Sequence, residues 1–342
     1  MKLREASLRL TEERYRELPQ LSYSALSKFD REGYGCIDTL FDKVSSPSLT
    51  FGSLVDCMIT QGEEAFSARY AVGDIEMPSE AISAIVSDLA RSHDANQFAI
   101  VPDEDILVAA NDVGYCVKWK DATRVQKIRE QGSTYYNFLR KSEDKEVVSV
   151  KDVEDASKAV EVLKTDPLTA PYFNDDAFGD RELLYQLQFT AVEPAFGHEF
   201  KGMLDLVIVD HDRKAIYPCD LKTTKSVYAF EESFYKYRYY IQAAMYTELL
   251  RKNIAKNCPE LDGYTMMDYR FIVIDRINFK PIVFEWTPVD HVVDMYGNER
   301  ESWRVLLDRL TWSLEHKDEK LPKEWHDDME YYHLVKLKNY AQ

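Results

Sequence analysis

This sequence has few cysteines and no long apolar run. Its five cysteines are scattered over 342 residues without a Cys-x-x-Cys pair, and its seven histidines form no His-x-His or His-x-x-x-His pair. A disulfide framework and a zinc or iron–sulfur site are therefore disfavoured, and any bound metal would need oxygen ligands, which a hard cation prefers. No apolar run reaches the roughly 20 residues of a membrane-spanning helix. The charged N-terminus lacks the apolar stretch of a signal peptide, so we expect a cytoplasmic protein without membrane contact.

Basic residues are outnumbered, with a formal net charge of −17, but they are not evenly spread. Residues 61–112 hold eleven acidic and two basic residues, whereas residues 113–141 hold seven basic and two acidic ones. Residues 214–254 hold seven basic and four acidic ones. The overall charge argues against a protein covered with phosphate contacts, yet two basic islands remain. In the first island Lys120, Arg124 and Lys127 would share one helix face, either as a solvated face or as a contact to duplex DNA.

The hydrophobic pattern changes from helical to strand-like near residue 182. Upstream, it predicts helices over 22–44, 49–59 and 114–131, a helix that begins after Ser149 and ends before Pro167, and irregular acidic sequence with short helices over 60–112. Downstream, it predicts strands over 182–192, 198–210, 215–222, 269–277 and 281–286, and helices over 230–253 and 289–316. Pro218 favours an edge position or a bulge for the third strand. The order of elements predicts an α/β fold with helices packed on a sheet.

Two acids and a lysine interrupt the apolar strands of the predicted meander. Asp205 lies in its second strand and Asp220 near the end of its third, and Lys222 points to the same face as Asp220. Adjacent strands are about 4.8 Å apart, so the two carboxylates can share one cation. Glu182, at the start of the first strand, could add a third carboxylate. Such oxygen donors suit Mg²⁺ or Mn²⁺, which activates water and neutralises phosphoryl charge. Lys222 can position or deprotonate that water, or stabilise developing negative charge.

Each of these residues alone has a simpler explanation. A single aspartate in a strand is commonly near a turn or paired with a base, and Asp220-Leu221-Lys222 alone suits an exposed ion pair. Together, however, these groups would cost several kcal/mol if they were buried without a partner. A metal ion is the simplest partner for all of them.

At this point the sequence resembles a known family. Asp205 followed by Asp220-Leu221-Lys222 matches the D…(D/E)-x-K signature of the PD-(D/E)XK nuclease superfamily. Gln242 and Tyr246 match the Q-x-x-x-Y motif of its RecB-like branch, and LSYSALSKF and FGSLVD resemble the first helices of that branch. The pattern is most similar to the exonuclease VIII (RecE-type) nucleases of phages and prophages. The resemblance covers roughly residues 21–60 and 147–250.

The resemblance implies a restriction-endonuclease-like core, with a central mixed sheet flanked by helices and a helical N-terminal elaboration. We expect residues 1–146 to form the helical part and 147–342 the nuclease core, within one integrated domain. Asp205, Asp220 and the Leu221 carbonyl would hold Mg²⁺ (or Mn²⁺), helped by Glu182 and Asp56. Asp56 stands where the branch has a metal-contacting histidine, so it is either a replacement ligand or a surface acid.

The same resemblance suggests which residues contact DNA. Gln242 and Tyr246 share a helix face and would orient the strand that is cut. Lys225, Lys236 and Arg238 are further candidates for substrate binding, the last two within FYKYRYY at 234–240. Aromatic residues interleaved with bases can stack nucleobases and hold phosphates, but a core-facing aromatic stripe with snorkelling bases fits the pattern equally well.

The resemblance implies a function in DNA end processing. We expect a Mg²⁺-dependent exonuclease that acts on double-stranded DNA ends and produces single-stranded DNA for a strand-annealing recombination protein. A homo-oligomer and a location in the host cytoplasm, if the gene belongs to a phage, would follow. Two alternatives stay open: an endonuclease or nickase with the same core, and a non-catalytic DNA-binding scaffold that retains the fold.

Overall fold

The contacts within the chain define two units. The computed structural model describes residues 2–42, 47–142, 145–174 and 179–335. The first unit combines Met1–Val44 with Lys164–Gln342, and the second unit is Ser45–Leu163. This division differs from the expected boundary at 146/147, because the N-terminal residues pack with the C-terminal sheet. The second unit is therefore inserted in the sequence of the first, and the integration of the two into one domain stays a prediction.

Helices and strands are distributed over both units. The α-helices are α1 (Leu3–Ala6), α2 (Glu12–Arg16), α3 (Tyr23–Glu32), α4 (Pro47–Thr60), α5 (Gly62–Arg69), α6 (Glu80–Ser92), α7 (Asp103–Asp112), α8 (Asp121–Leu139), α9 (Val150–Thr165), α10 (Phe230–Lys236), α11 (Tyr239–Asn257), α12 (Trp303–Glu315) and α13 (Lys323–Tyr332). The 3₁₀ helices are Gly33–Thr39, Phe98–Ile100, Ala170–Tyr172, Val227–Ala229, Pro259–Leu261 and Lys317–Glu319. The strands are β1 (Leu21–Ser22), β2 (Tyr70–Gly73), β3 (Glu146–Ser149), β4 (Arg181–Val192), β5 (Glu199–Asp210), β6 (Ala215–Thr224), β7 (Thr265–Met266), β8 (Tyr269–Asp275), β9 (Pro281–Trp286), β10 (Val292–Val293) and β11 (Glu299–Arg300). Within the described ranges, no helix is both long and apolar enough to cross a membrane.

A seven-stranded mixed sheet organises the first unit. Strands β4, β5 and β6 form the antiparallel meander expected from the sequence. Beyond it, β8 pairs in parallel with β6 and β9 pairs antiparallel with β8, while β1 and β7 add short parallel pairs to β5 and β6. Helices α3, α11 and α12 contribute to the apolar core of this sheet. The predicted fold class, a central mixed sheet flanked by helices, is confirmed.

Strand β6 lies inside the sheet, so the edge position expected from Pro218 is wrong. Pro218 pairs with Val207 of β5 on one side. On the other side β7 pairs only with Ala215 and Ile216, and β8 begins its pairing at Cys219. Proline lacks a backbone N–H, and it is tolerated here because it falls in the gap between these two partner strands.

Helix α11 lies close against β5, and Gly202 makes that approach possible. A Cβ atom built on Gly202 would lie 2.6 Å from Leu249 and 2.7 Å from Tyr246, both on α11. Any larger residue would push the helix away from the strand. This close packing brings the face of α11 that carries Tyr246 directly over the part of the sheet that holds the two acids.

Two predicted helices have different bounds in the structure. The helix expected over 230–253 is divided into α10 and α11, because Arg238 takes a left-handed backbone conformation with φ 62° between them. The helix expected over 289–316 begins only at Trp303. Before it, β10 and β11 form a hairpin whose turn is held by Asp294, which accepts hydrogen bonds from the backbone N–H groups of Tyr296 and Asn298.

The second unit has its own apolar core between α6, α7 and α8. Gly132 of α8 lies against α6, where an added Cβ would come within 2.5 Å of Val86. Residues 60–112, expected to be irregular with short helices, thus contain the well-packed helices α6 and α7. Helix α8 begins at Asp121 rather than near residue 114 and continues to Leu139.

Part of the first basic island is used inside the second unit. Arg124 is only 3% exposed and donates hydrogen bonds to the Tyr115 carbonyl and to Asn111 Oδ1. Arg129 forms an ion pair with Asp103 at 2.5 Å. Arg124 therefore does not share a solvated face with Lys120 and Lys127. Both alternatives given for that face, a solvated surface and a contact to duplex DNA, are wrong for Arg124.

Candidate active site

The meander brings Asp205 and Asp220 together. Leu206 of β5 pairs with Cys219 of β6, so the next position in the register places Asp205 across from Asp220. The two strands are also joined through a side chain, since Asp205 Oδ2 accepts a hydrogen bond from the Leu221 backbone N–H at 3.1 Å. Asp205, Asp220 and the Leu221 backbone therefore meet at one point on the sheet, while their role as metal ligands stays a prediction.

An irregularity in β4 and β5 accommodates the acid within an apolar run. The pairs on either side are Tyr185 with Leu206 and Leu187 with Leu204, but the pair between them is missing, and Gln186 there takes φ 53°. Leu204 and Val207, which are three residues apart, belong to the same core cluster. Regular strand alternation would place them on opposite faces. The side-chain alternation thus shifts by one residue at Asp205.

The Asp220 carboxylate is buried, with 1% exposure, and both of its oxygens have close neighbours. Gln242 Nε2 donates to Oδ1 at 2.5 Å, and Lys222 Nζ lies 2.5 Å from Oδ2 in an ion pair. Burial by itself would lower the pKa of Lys222, but the Asp220 carboxylate, with smaller contributions from Tyr239 and Asp205, raises that pKa above its usual value. Lys222 is therefore charged, and it balances one of the two carboxylates.

Four tyrosines surround this group: Tyr23, Tyr239, Tyr246 and Tyr269. Burial raises the pKa of each of them, and the nearby Asp220 carboxylate adds to the effect. All four hydroxyls stay neutral at physiological pH, so the site holds two carboxylates, one ammonium and a wall of neutral aromatic rings. Charge–charge interactions are strong in such a place because little water screens them.

One face of α11 carries the residues that meet the acids. Gln242 contacts Asp220, and Tyr246, one helical turn later, packs on Gly202 and meets Tyr23 edge-on at 6.5 Å between ring centroids. Tyr239, three residues before Gln242, lies on the same face, and Lys222 Nζ is 4.7 Å from its ring centroid. The sequence reasoning missed Tyr239, although the i, i+3, i+7 spacing of Tyr239, Gln242 and Tyr246 contains the signal.

The donor atoms at this point fit a hard divalent cation. Asp205 and Asp220 offer carboxylate oxygens. Leu221 lies between Asp220 and Lys222 on β6, and the use of its backbone carbonyl as a third oxygen stays a prediction. Gln242 Oε1 is buried and accepts no hydrogen bond from the residues that the structure describes. A buried oxygen without a donor is costly, and a cation or its bound water would supply the missing partner. An all-oxygen set of this kind is typical of Mg²⁺ or Mn²⁺.

Glu182 does not join this group. It pairs with Val209, four residues along β5 from Asp205, which corresponds to about 13 Å at the rise of a strand. Its carboxylate instead bonds to His211 Nε2 at 3.0 Å, and His211 Nδ1 bonds to the Tyr264 hydroxyl at 2.9 Å. The suggestion of a third carboxylate from Glu182 is thus corrected: the strand register carries it away from the two acids.

The basic candidates for substrate binding fall into two groups. Lys225, directly after β6, and Lys236, at the end of α10, are exposed, and Lys236 Nζ lies 5.3 Å from the Tyr237 ring centroid. Arg238, by contrast, has a side chain only 12% exposed, which is paired with Asp30 and donates to the Tyr235 carbonyl at 2.7 Å. Arg238 is thus engaged within the first unit, whereas substrate contact by Lys225 and Lys236 stays a prediction.

Asp56 belongs to the second unit. It is half-buried on α4, where its carbonyl accepts a hydrogen bond from the Thr60 hydroxyl at 2.8 Å. Its role as a metal ligand stays a prediction.

The chain was also compared with known proteins. A family model described as a PDDEXK-like domain of unknown function (DUF3799) matches residues 22–261, a range that includes Asp205, Asp220, Lys222 and α11. No curated protein matches the chain. The family description agrees with the resemblance drawn from the sequence motifs and indicates a nuclease-type function, for which divalent metals are the usual cofactors.

Proposed function

We propose a function for this chain, which belongs to the family of PDDEXK-like domains. It is a Mg²⁺- or Mn²⁺-dependent deoxyribonuclease that resects double-stranded DNA ends. One observation carries this proposal above the others: Asp205, Asp220 and Lys222 converge on one largely buried point of the sheet. Beside it lies Gln242 Oε1, which accepts no hydrogen bond from the part of the chain that the structure describes. A purely structural ion pair would need one acid and one base. The second acid and the further oxygen of Gln242 fit a site that holds a cation through oxygen ligands.

The residues have separate roles in this proposal. Asp205, Asp220 and the Leu221 carbonyl would hold the cation, which, when bound, would supply water activation and neutralisation of phosphate charge. Gln242 fixes the Asp220 carboxylate through its hydrogen bond to Oδ1. Lys222 keeps its positive charge and directs it at the phosphate oxygen on which negative charge develops during in-line attack. The surrounding tyrosines exclude bulk water and so strengthen each of these interactions.

The substrate and partners follow from the resemblance to exonuclease VIII-type enzymes. Linear duplex DNA is the substrate, and single-stranded DNA is a product that a strand-annealing protein would take over. The products carry 5′-phosphate and 3′-hydroxyl ends. Lys225 and Lys236 are the exposed bases near the site in sequence that would hold the backbone, Asp56 is a further candidate ligand, and the enzyme would act as a homo-oligomer in the cytoplasm.

A comparison of linear with covalently closed circular DNA tests the function. With Mg²⁺, we expect linear duplex to be degraded and closed circles to stay intact, because an exonuclease needs an end. EDTA should stop the reaction, and added Mn²⁺ should restore it. Cleavage of the circles would instead identify an endonuclease or nickase with the same core. DNA binding without cleavage under any divalent ion would identify a scaffold and contradict the proposal.

Gln242→Leu is expected to weaken cation binding about 10- to 100-fold, as is common when a residue that orients a metal ligand is lost. The reason is that Nε2 holds Asp220 Oδ1 at 2.5 Å. The measurement is a Ca²⁺ titration without DNA, in which the melting temperature of the protein reports cation binding.

Gln126→Leu is the matched control for this variant. Gln126 is also a helical glutamine whose amide donates to a carboxylate, Glu130 at 2.9 Å, but it lies on an exposed surface of α8. Its Ca²⁺ titration should match that of the wild type. If Gln242→Leu bound Ca²⁺ normally and instead lost affinity for DNA, Gln242 would contact the substrate, as first expected from the sequence.

A further inference from the structure

The ring of Tyr239 faces the ammonium of Lys222. The distance from Lys222 Nζ to the ring centroid is 4.7 Å, within the range of a cation–π interaction. The Asp220 carboxylate also contacts this ammonium, with Oδ2 2.5 Å from Nζ. Lys222 is therefore held from two sides, by a carboxylate and by an aromatic face.

Neighbouring rings fix the position of Tyr239. Phe230 and Phe271 stack on it with centroid distances of 5.9 Å in both cases, and their ring planes are within 27° of its own. Tyr23 lies 6.4 Å away at a tilt. A ring packed in this way cannot turn its face away from Lys222 without disturbing the core.

The backbone before Tyr239 is also fixed at some cost. Arg238 occupies the left-handed region at φ 62°, which is unfavourable for a residue with a Cβ. Its guanidinium pairs with Asp30 of α3 and donates to the carbonyls of Tyr235 and Lys236, and these contacts hold the unusual conformation. Such outliers persist where the surrounding contacts over-determine them, and they are common beside functional sites. Here the outlier lies directly before α11, which begins at Tyr239.

We propose that Tyr239 is a positioning residue that keeps the Lys222 ammonium in place when a divalent cation binds the two aspartates; this inference rests on the proposed function. A cation bound to Asp220 attracts the same carboxylate that holds Lys222. The cation also repels the Lys222 ammonium, because both are positively charged. The aromatic face does not bind a hard cation, so its attraction for Lys222 persists after the cation arrives. The ring, rather than the hydroxyl, supplies this attraction.

The kinetic test compares three substitutions. Tyr239→Leu is expected to lower kcat roughly 10-fold, with unchanged KM for DNA and an unchanged Ca²⁺-induced shift in melting temperature. Tyr239→Phe keeps the ring and should retain nearly the wild-type kcat. Tyr235→Leu is the matched control, because Tyr235 belongs to the same aromatic cluster, with Phe234 at 5.2 Å and Tyr240 at 6.5 Å, and should leave kcat unchanged. Equal losses in Tyr239→Leu and Tyr235→Leu, or a loss in Tyr239→Phe, would overturn the proposal.

A spectroscopic test does not depend on activity. In protein labelled with ¹³C-lysine, the ε-CH₂ signal of Lys222, identified by its absence in Lys222→Met, should be shifted by the ring current of Tyr239. We expect this shift to persist in saturating Ca²⁺ in the wild type and in Tyr239→Phe. A move of the signal to the position of exposed lysines on adding Ca²⁺ would overturn the inference even in an active enzyme. An inactive protein that keeps the shift would contradict the nuclease function and leave the positioning of Lys222 by Tyr239 supported.

Discussion

Replacing either Asp205 or Asp220 with asparagine should reduce metal-dependent DNA cleavage about 10³-fold or more. Each substitution removes a carboxylate from the cation site, and the several kcal/mol of charge stabilisation supplied by a bound metal correspond to a loss of this size.

The two variants should differ in stability. Asp205→Asn keeps an oxygen for the Leu221 N–H, so its melting temperature should stay close to that of the wild type. Asp220→Asn deprives the largely buried Lys222 of its ion pair and should cost about 3 kcal/mol.

Two controls separate lost chemistry from lost stability. Asp220→Asn combined with Lys222→Met removes the charge pair together, so it should recover much of the melting temperature without recovering cleavage. Asp210→Asn removes another buried acid of β5, 2% exposed and bonded to the Arg213 N–H at 2.9 Å, and should lower the melting temperature while the folded enzyme still cleaves. Normal cleavage by Asp205→Asn or by Asp220→Asn would show that the site has been assigned wrongly.

The second large effect is expected at Lys222, where cation binding and activity should change in opposite directions. Lys222→Met should bind Ca²⁺ or Mg²⁺ at least roughly 10-fold more tightly than the wild type. The reason is that the Lys222 ammonium, 2.5 Å from Asp220 Oδ2, repels a cation at the same oxygen. Cleavage should nevertheless fall about 10²- to 10³-fold, because the charge that faces the reacting phosphate is lost. Isothermal titration with Ca²⁺ and single-turnover cleavage in Mg²⁺ measure the two quantities separately.

Lys225→Met provides the comparison for that experiment. It makes the same chemical change three residues further along, at an exposed position directly after the same strand. Its cation affinity should equal that of the wild type, and any effect should be confined to DNA binding and its dependence on salt. If Lys222→Met bound cations more weakly than the wild type, the ammonium would be supporting the site rather than competing for it.

The central pair of acids could be predicted because its geometry is local. A short turn joins β5 to β6, and such a connection fixes the register of an antiparallel pair, so the spacing of Asp205 and Asp220 in sequence determined their meeting across the strands. Glu182 could have been placed in the same way. The register of β4 against β5 is the same on both sides of the missing pair at Gln186, so the turn between these strands already sets Glu182 opposite Val209, four residues from Asp205.

The division between α10 and α11 was missed for a different reason. No glycine or proline marks it, and the left-handed Arg238 is held by Asp30, which lies 208 residues away in sequence. The 3.6-residue period of apolar residues predicts a helix in this region. The start of α11, however, depends on a tertiary contact that the sequence does not show. Tyr239 could be predicted in part, because its spacing from Gln242 places both residues on one helix face. Its contact with Lys222 could not be predicted, because that contact depends on where the sheet places the lysine.

The N-terminal residues of the first unit have a consequence for the order of folding. β1 pairs with β5 through Leu21 and Phe200, and Lys201 donates to the carbonyls of Tyr15, Arg16 and Leu18 at 3.0, 3.1 and 2.7 Å. During synthesis these N-terminal residues leave the ribosome first, but their partners arrive only after the whole inserted unit has been made. At about 5–20 residues per second this delay lasts on the order of 10 s or more. The inserted unit can fold in that interval. Folding would replace a long flexible loop by a shorter effective one and so reduce the entropy cost of the later β1–β5 pairing. The sheet of the first unit, and with it the meeting of Asp205 and Asp220, is completed only after its later strands have emerged.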